Sequence, residues 1–166
     1  MSEEQIFTLV DTEQARAAAL ALFDSLMPLL TSRLPPSADI RHIGATAVPG
    51  CLTKGDLDIV VRVPPEDFSA AEAALSKLFA RNVGSARTHD FSAFEDASRN
   101  PPLGIQLTAI GGEFDSFHHF VEALLASPQL VAAYNALKRD WNGAGMADYR
   151  KAKDEFVARV LERKAP

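Results

Sequence analysis

The run DLDIVVRV, from Asp56 to Val63, limits the folding of this chain more than any other stretch. It is valine-rich and reads as a strand built for burial. Side chains along a strand alternate between two faces. Leu57, Ile59, Val61 and Val63 therefore share one face, and Asp56 and Asp58 sit side by side on the other. Two neighbouring carboxylates repel, and the arrangement is tolerated only if something offsets the repulsion. The strand thus implies both a sheet on an apolar core and a cation or donor group near its start.

The flanking segments predict an α/β fold. Ala19, Phe23, Leu26 and Leu30 recur at helical spacing after a capping Asp11 or Thr12, and Pro28 is expected to kink or shorten that helix. ADIRHIG predicts a short strand ending at Gly44, followed by a loop to Gly55. After the D-x-D strand, prolines open an amphipathic helix carrying Phe68, Ala71, Leu75, Leu78 and Phe79 on one face. From Val83 the chain predicts a strand followed by a turn, then a loop through ASRNPP. LGIQLTAI alternates as a better strand. Helical patterns follow Gly112 to the end, broken at Ser127–Pro128 and at NGAG, and Ala152, Phe156 and Val160 form the last stripe. The expectation is a small mixed sheet flanked by helices, with a helical C-terminal part, in one domain spanning residues 1–166.

Composition narrows the function classes. The 166 residues are 47% hydrophobic, enough for a real core, and the net charge of −5 argues against general nucleic-acid binding, though not against a local basic groove. The single cysteine, Cys51, rules out a disulfide framework and a cysteine zinc site. It is expected to be buried and inert, since only Lys54 lies near it in sequence to lower its pKa. The acidic start, MSEEQIFTLVD, has no secretory hydrophobic core, and no apolar run reaches membrane-spanning length. A cytoplasmic protein with no membrane partner is expected.

A divalent ion, Mg²⁺ or Mn²⁺, would offset the Asp56–Asp58 repulsion and clamp a phosphate chain. Gly44, Ala45, Thr46 and Gly50 would let the backbone approach that phosphate; Thr46 adds a hydroxyl and Lys54 a positive charge. Each residue also has a plainer role. His42 fits a hydrogen-bonded structural residue, Lys54 a surface lysine, and Tyr149, one turn from Lys153, a packing residue. Lys153 alternatively reaches a phosphate. His118 and His119 are adjacent and expected to point apart, a poor metal pair.

A glycine and a small residue ahead of D-x-D resemble the nucleotidyltransferase fold of the DNA polymerase β superfamily. HIGATAVPG, then Lys54, then the D-x-D strand is similar to the GrpB family motif H-I-G-S-T-A-V-P-G…K…D-I. LLASPQLVAAYNALK resembles its L-R-x-H-P-x-x-x-x-x-Y-x-x-L-K, and YRKAKDEF its Y-x-x-A-K-x-x-F, so the resemblance runs from about residue 37 to 163. It implies Asp56 and Asp58 as catalytic metal ligands and a nucleoside triphosphate or other phosphorylated small molecule as partner. Three departures stand out. Gln106 and Thr108 replace the histidines of H-L-H, and Gln106 falls nearest the third carboxylate of an active superfamily member, where an amide oxygen brings no charge. Phe120, Val121 and Glu122 replace F-R-D. Ala45 replaces a serine. Two functions follow as expectations: a metal-dependent nucleotidyltransferase acting on an unknown acceptor, or a catalytically degenerate nucleotide- or anion-binding module.

Overall fold

The computed structural model describes residues 5–164. Its elements are α1 (Thr12–Arg33), β1 (Asp39–Ile43), a 3-10 turn at Ala45–Ala47, β2 (Leu57–Val63), a second at Pro65–Asp67, α2 (Phe68–Leu78), β3 (Ala80–Arg81), β4 (Phe91–Asp96), β5 (Leu103–Ala109), α3 (Phe117–Ala126), α4 (Pro128–Trp141) and α5 (Met146–Lys164). The five strands form one sheet in the order β1-β2-β5-β4-β3. β2 and β5 run parallel; the other pairs are antiparallel.

The D-x-D strand lies inside the sheet, between β1 and β5, which explains its apolar density. Its first face carries Leu57, Ile59, Val61 and Val63, packed with Leu26 and Leu30 of α1 and Phe68, Ala71 and Leu75 of α2. Its second face carries Asp58, Val60 and Arg62, and Val60 packs with Ile43, Val48, Cys51, Val121, Leu124 and Tyr134. Arg62 is held there by Asp39 at 3.0 Å and Asp115 at 2.6 Å. The sheet is thus sandwiched between α1–α2 and α3–α5, and within β2 the second face carries its one carboxylate at the start of the strand.

Caps set several boundaries. The Asp11 carboxylate accepts from the Gln14 N–H at 2.9 Å, and the Ser127 hydroxyl from the Leu130 N–H at 3.1 Å, with Pro128 at the first helical position. Two local expectations need correction. Pro28 does not shorten α1, which continues to Arg33; the proline lies on the exposed side while Leu26 and Leu30 anchor the turns around it. The strand expected from Val83 starts only at Phe91. Polar side chains hold the preceding residues in turns, with the Gly84 N–H donating to Asn82 Oδ1 and the Thr88 hydroxyl to Asp90 Oδ1. The N-terminal segment crosses to the break between α4 and α5. The Phe7 N–H donates to the Ala144 carbonyl at 2.9 Å, and the Gly143 N–H to the Phe7 carbonyl at 2.7 Å. Among the described residues no helix is long and apolar enough to cross a membrane.

Candidate functional site

A cavity of about 280 Å³ opens on the second face of the sheet, walled by α3, α4 and α5. Gly44, Ala45, Asp56, Asp58 and Gln106 line it on the sheet side, and Lys54, Lys138 and Lys153 enter with positive charge. Phe7, Phe117, Phe120, Val121, Tyr134 and Tyr149 supply the apolar wall. A small polar floor with convergent charges under an apolar wall is the usual build of a ligand site.

Asp58 is the most constrained member. The register sets it beside Gly104 of β5 and Ile43 of β1. Gly44, next to Ile43, has φ of 77°, a left-handed conformation that glycine adopts without strain. A Cβ at Gly44 would lie 2.7 Å from Asp58 Oδ2, and one at Gly104 would lie 3.0 Å from Asp58 Oδ1. Two missing side chains therefore make the slot for one carboxylate. Among the described residues that carboxylate makes no hydrogen bond. Burial is the largest influence and raises its pKa; Lys153, Lys54 and Lys138 act the other way from a distance, and Asp56 adds to the increase.

Asp56 precedes β2 and is already paired, its Oδ2 lying 3.1 Å from Lys54 Nζ. The carbonyl of Asp56 accepts from the Thr46 hydroxyl at 3.1 Å, and Thr46 Oγ1 lies 2.8 Å from His42 Nε2. With the hydroxyl proton committed to Asp56, His42 donates through Nε2–H. Burial, reinforced by Arg16 and opposed by Asp24, holds the His42 pKa down to about 4, so the ring is neutral. His42 thus takes the structural role. Thr46 corrects the expectation of a phosphate-facing hydroxyl: it is buried and ties the glycine turn to the D-x-D strand.

Gly50 also departs from the expected cradle. It is exposed and does not line the cavity; its carbonyl accepts from Asn135 Nδ2 at 2.9 Å, while Asn135 Oδ1 accepts from the Leu52 N–H at 2.8 Å. Asn135 of α4 clamps the loop, so only Gly44 and Ala45 of the turn face the cavity. Thr108 is buried outside it, and Glu122 is drawn away to Arg41 at 3.2 Å. His118 and His119 do not point apart: their ring centroids are 3.9 Å apart, His118 lying 3.8 Å from Asp115 and His119 3.6 Å from Glu122. Among the described residues no group of three or more His, Cys, Asp or Glu side chains is arranged to hold a metal ion.

Tyr149 stacks on Phe7 with centroids 3.7 Å apart and planes within 7°, which is its packing role, while Lys153 on the same helix reaches the cavity. The sequence reading missed two contributors. Phe7 is brought in by the N-terminal crossing, for which the sequence carries no local signal. Lys138 is buried, donates to the Leu52 carbonyl, sits 3.9 Å from Cys51 Sγ and lies 4.2 Å from the Tyr134 ring centroid. Burial lowers its pKa to about 8. Its signal was the Tyr134–Lys138 spacing, which stacks the two on one helix face. Lys138, not Lys54, is the cation at Cys51, and burial still pushes that thiol up.

A mixed sheet with a glycine turn feeding a carboxylate-bearing central strand defines a nucleotidyltransferase-like fold. Solved structures share it. The Cid1 poly(U) polymerase bound to Mg and 3′-dATP superposes with a TM-score of 0.54 at 18% identity, over 78% of this chain and 40% of that one. This chain therefore spans two fifths of that polymerase, and the likeness is one of fold. The chain belongs to the GrpB protein family, whose pattern matches residues 10–163 and so takes in α1 as well as the motifs. A UPF0157 protein of Vibrio cholerae serotype O1 is 37% identical over 129 residues, 77% of this chain and 68% of its own length. The crystal structure of GrpB from Enterococcus faecalis superposes with a TM-score of 0.65 at 17% identity, covering 89% of this chain and 94% of that one.

Proposed function

We propose that the cavity binds a nucleoside triphosphate or other phosphorylated small molecule and, with Mg²⁺ or Mn²⁺, transfers a nucleotidyl group to an acceptor. The observation that carries this reading is Asp58: a carboxylate held between Gly44 and Gly104, without a hydrogen bond, in a cavity lined by three lysines. A half-buried carboxylate left in that state carries a desolvation cost that a cation in the cavity would offset. The donor set fits the ion. Mg²⁺ is commonly held by one or two carboxylates plus substrate phosphates, and Asp56, Asp58 and the Gln106 amide oxygen share this cavity.

Such an ion, when bound, offsets phosphate charge and favours attack by an acceptor oxygen. The chain's own residues do the rest. Asp56 and Asp58 would hold the ion, the Gly44–Ala45 backbone would approach the phosphates, and Lys54 and Lys153 would balance their charge. An acceptor hydroxyl or phosphate attacks the α-phosphorus in line as pyrophosphate leaves. The magnesium and nucleotides named in the Cid1 structures support the reading through shared fold.

A second reading, an anion-binding module without catalysis, is favoured by two observations. Gln106 brings no charge to its position, and Lys54 already neutralises Asp56. One experiment separates the two: labelled nucleoside triphosphates, Mg²⁺ or Mn²⁺ and a broad acceptor set, with binding measured with and without EDTA. Metal-dependent pyrophosphate release, lost in Asp58→Asn, supports the transferase. Tight binding that survives EDTA, with no pyrophosphate from any acceptor, leaves the module.

A further inference from the structure

Lys54 raises a question about how an ion could reach the site. Its ammonium lies 3.1 Å from Asp56 Oδ2, and the two side chains are comparably exposed, at 37% and 30%. Lys138 and Lys153 line the same cavity, as does Asp154, so three ammonium groups share it with three carboxylates. A bare divalent ion entering there finds no excess of negative charge and must displace Lys54 from one of its two carboxylate ligands.

We propose that Lys54 guards Asp56, so that a divalent ion enters only together with its phosphorylated ligand. This rests on the ligand class proposed above. A phosphate gives the Lys54 ammonium a second anion to bind. The long, flexible lysine side chain moves to it, and Asp56 is released to the ion. Asp58 has no such partner to exchange: seated in the room left by Gly44 and Gly104, its carboxylate makes no ion pair or hydrogen bond among the described residues. The pair therefore divides the work: Asp58 is the fixed ligand and Asp56 the one that changes partner. Metal and phosphate binding are coupled as a consequence, each strengthening the other.

The test uses Mn²⁺ alone with the full chain, free Mn²⁺ being read by electron paramagnetic resonance. Lys54→Gln should bind Mn²⁺ more tightly than wild type, by up to about fivefold, the upper range for releasing an exposed ion pair. Lys54→Arg, which keeps the charge, should stay near wild type. The double variant Lys54→Gln/Asp56→Asn should lose the gain. Circular dichroism checks that each variant is folded. Equal or weaker Mn²⁺ binding by Lys54→Gln, or a gain that persists without the Asp56 carboxylate, overturns the proposal. The transferase reading fails separately: no pyrophosphate release, with the Mn²⁺ response of Lys54→Gln intact, refutes catalysis and leaves the guard standing.

Discussion

Gly104 of β5 stands directly against Asp58 of β2, where a Cβ would come within 3.0 Å of the Oδ1 atom. Its φ is not left-handed, so an alanine there meets only the carboxylate. Gly104→Ala should cost about 1–2 kcal/mol of stability through that contact. In an Asp58→Ala background the contact is gone, and most of the cost should disappear. Urea unfolding of the four proteins in the cycle gives the coupling, expected at about 1 kcal/mol. Additive effects would mean the glycine serves something other than the carboxylate slot.

Asp58→Asn should stabilise the ligand-free protein at neutral pH, by about 1 kcal/mol, because the amide carries no charge to desolvate. The folded pKa of Asp58 is raised above its unfolded value. The folded state therefore holds the proton longer, and the contribution of Asp58 to stability falls as pH rises through the folded pKa. The advantage of asparagine should accordingly be present at pH 7 and vanish below the unfolded carboxylate value of 3.8. Thermal midpoints at pH 7 and pH 3.5 check both halves, and a pH-independent difference would contradict the cause.

His42 works in the opposite direction. It titrates near 6.5 when unfolded and near 4 when folded, so between those values the unfolded chain binds more protons. Stability is full above pH 6.5 and is lost as pH falls through 4. His42→Gln, whose amide can still donate to Thr46, should remove part of that slope. Because the ring is partly solvated, the expected difference at pH 5 is reduced to about 1 kcal/mol. Denaturant midpoints of both proteins at pH 7 and pH 5 measure it.

Lys138 is charged in both folded and unfolded states at pH 7, yet its folded pKa is lowered from 10.5 to about 8. The full desolvation cost is thus carried at neutral pH, and stability rises as pH climbs from 8 to 10.5. Lys138→Met should stabilise the protein at pH 7 by about 1 kcal/mol, after allowing for the lost bond to the Leu52 carbonyl. The gain should shrink by pH 10. Nucleotide binding by the same variant should weaken, the cavity having lost one of its three cations.

The sequence by itself determined the strand of alternating faces from Leu57 to Val63, the glycine turn ahead of it, the helices rich in apolar stripes, and the family. All are local: alternation, capping residues and turn residues act over a few positions, and a contiguous motif preserves them. Even Asp58 was legible, because a charge within an apolar strand contradicts its surroundings. What only the tertiary structure decided depends on neighbours far apart in sequence. Gly104 became half of the Asp58 slot through parallel pairing of β2 with β5, a register no local pattern specifies. Lys138 and Phe7 entered the cavity because α4 packs against the Gly50–Leu52 loop and the N-terminal segment bonds across the α4–α5 break. Thr46 and Gly50 left the expected cradle for the same reason. In the chain they are residues suited to phosphate; in the fold, the Thr46 hydroxyl is spent on the Asp56 carbonyl, and Asn135 holds the loop so that Gly50 lies exposed outside the cavity.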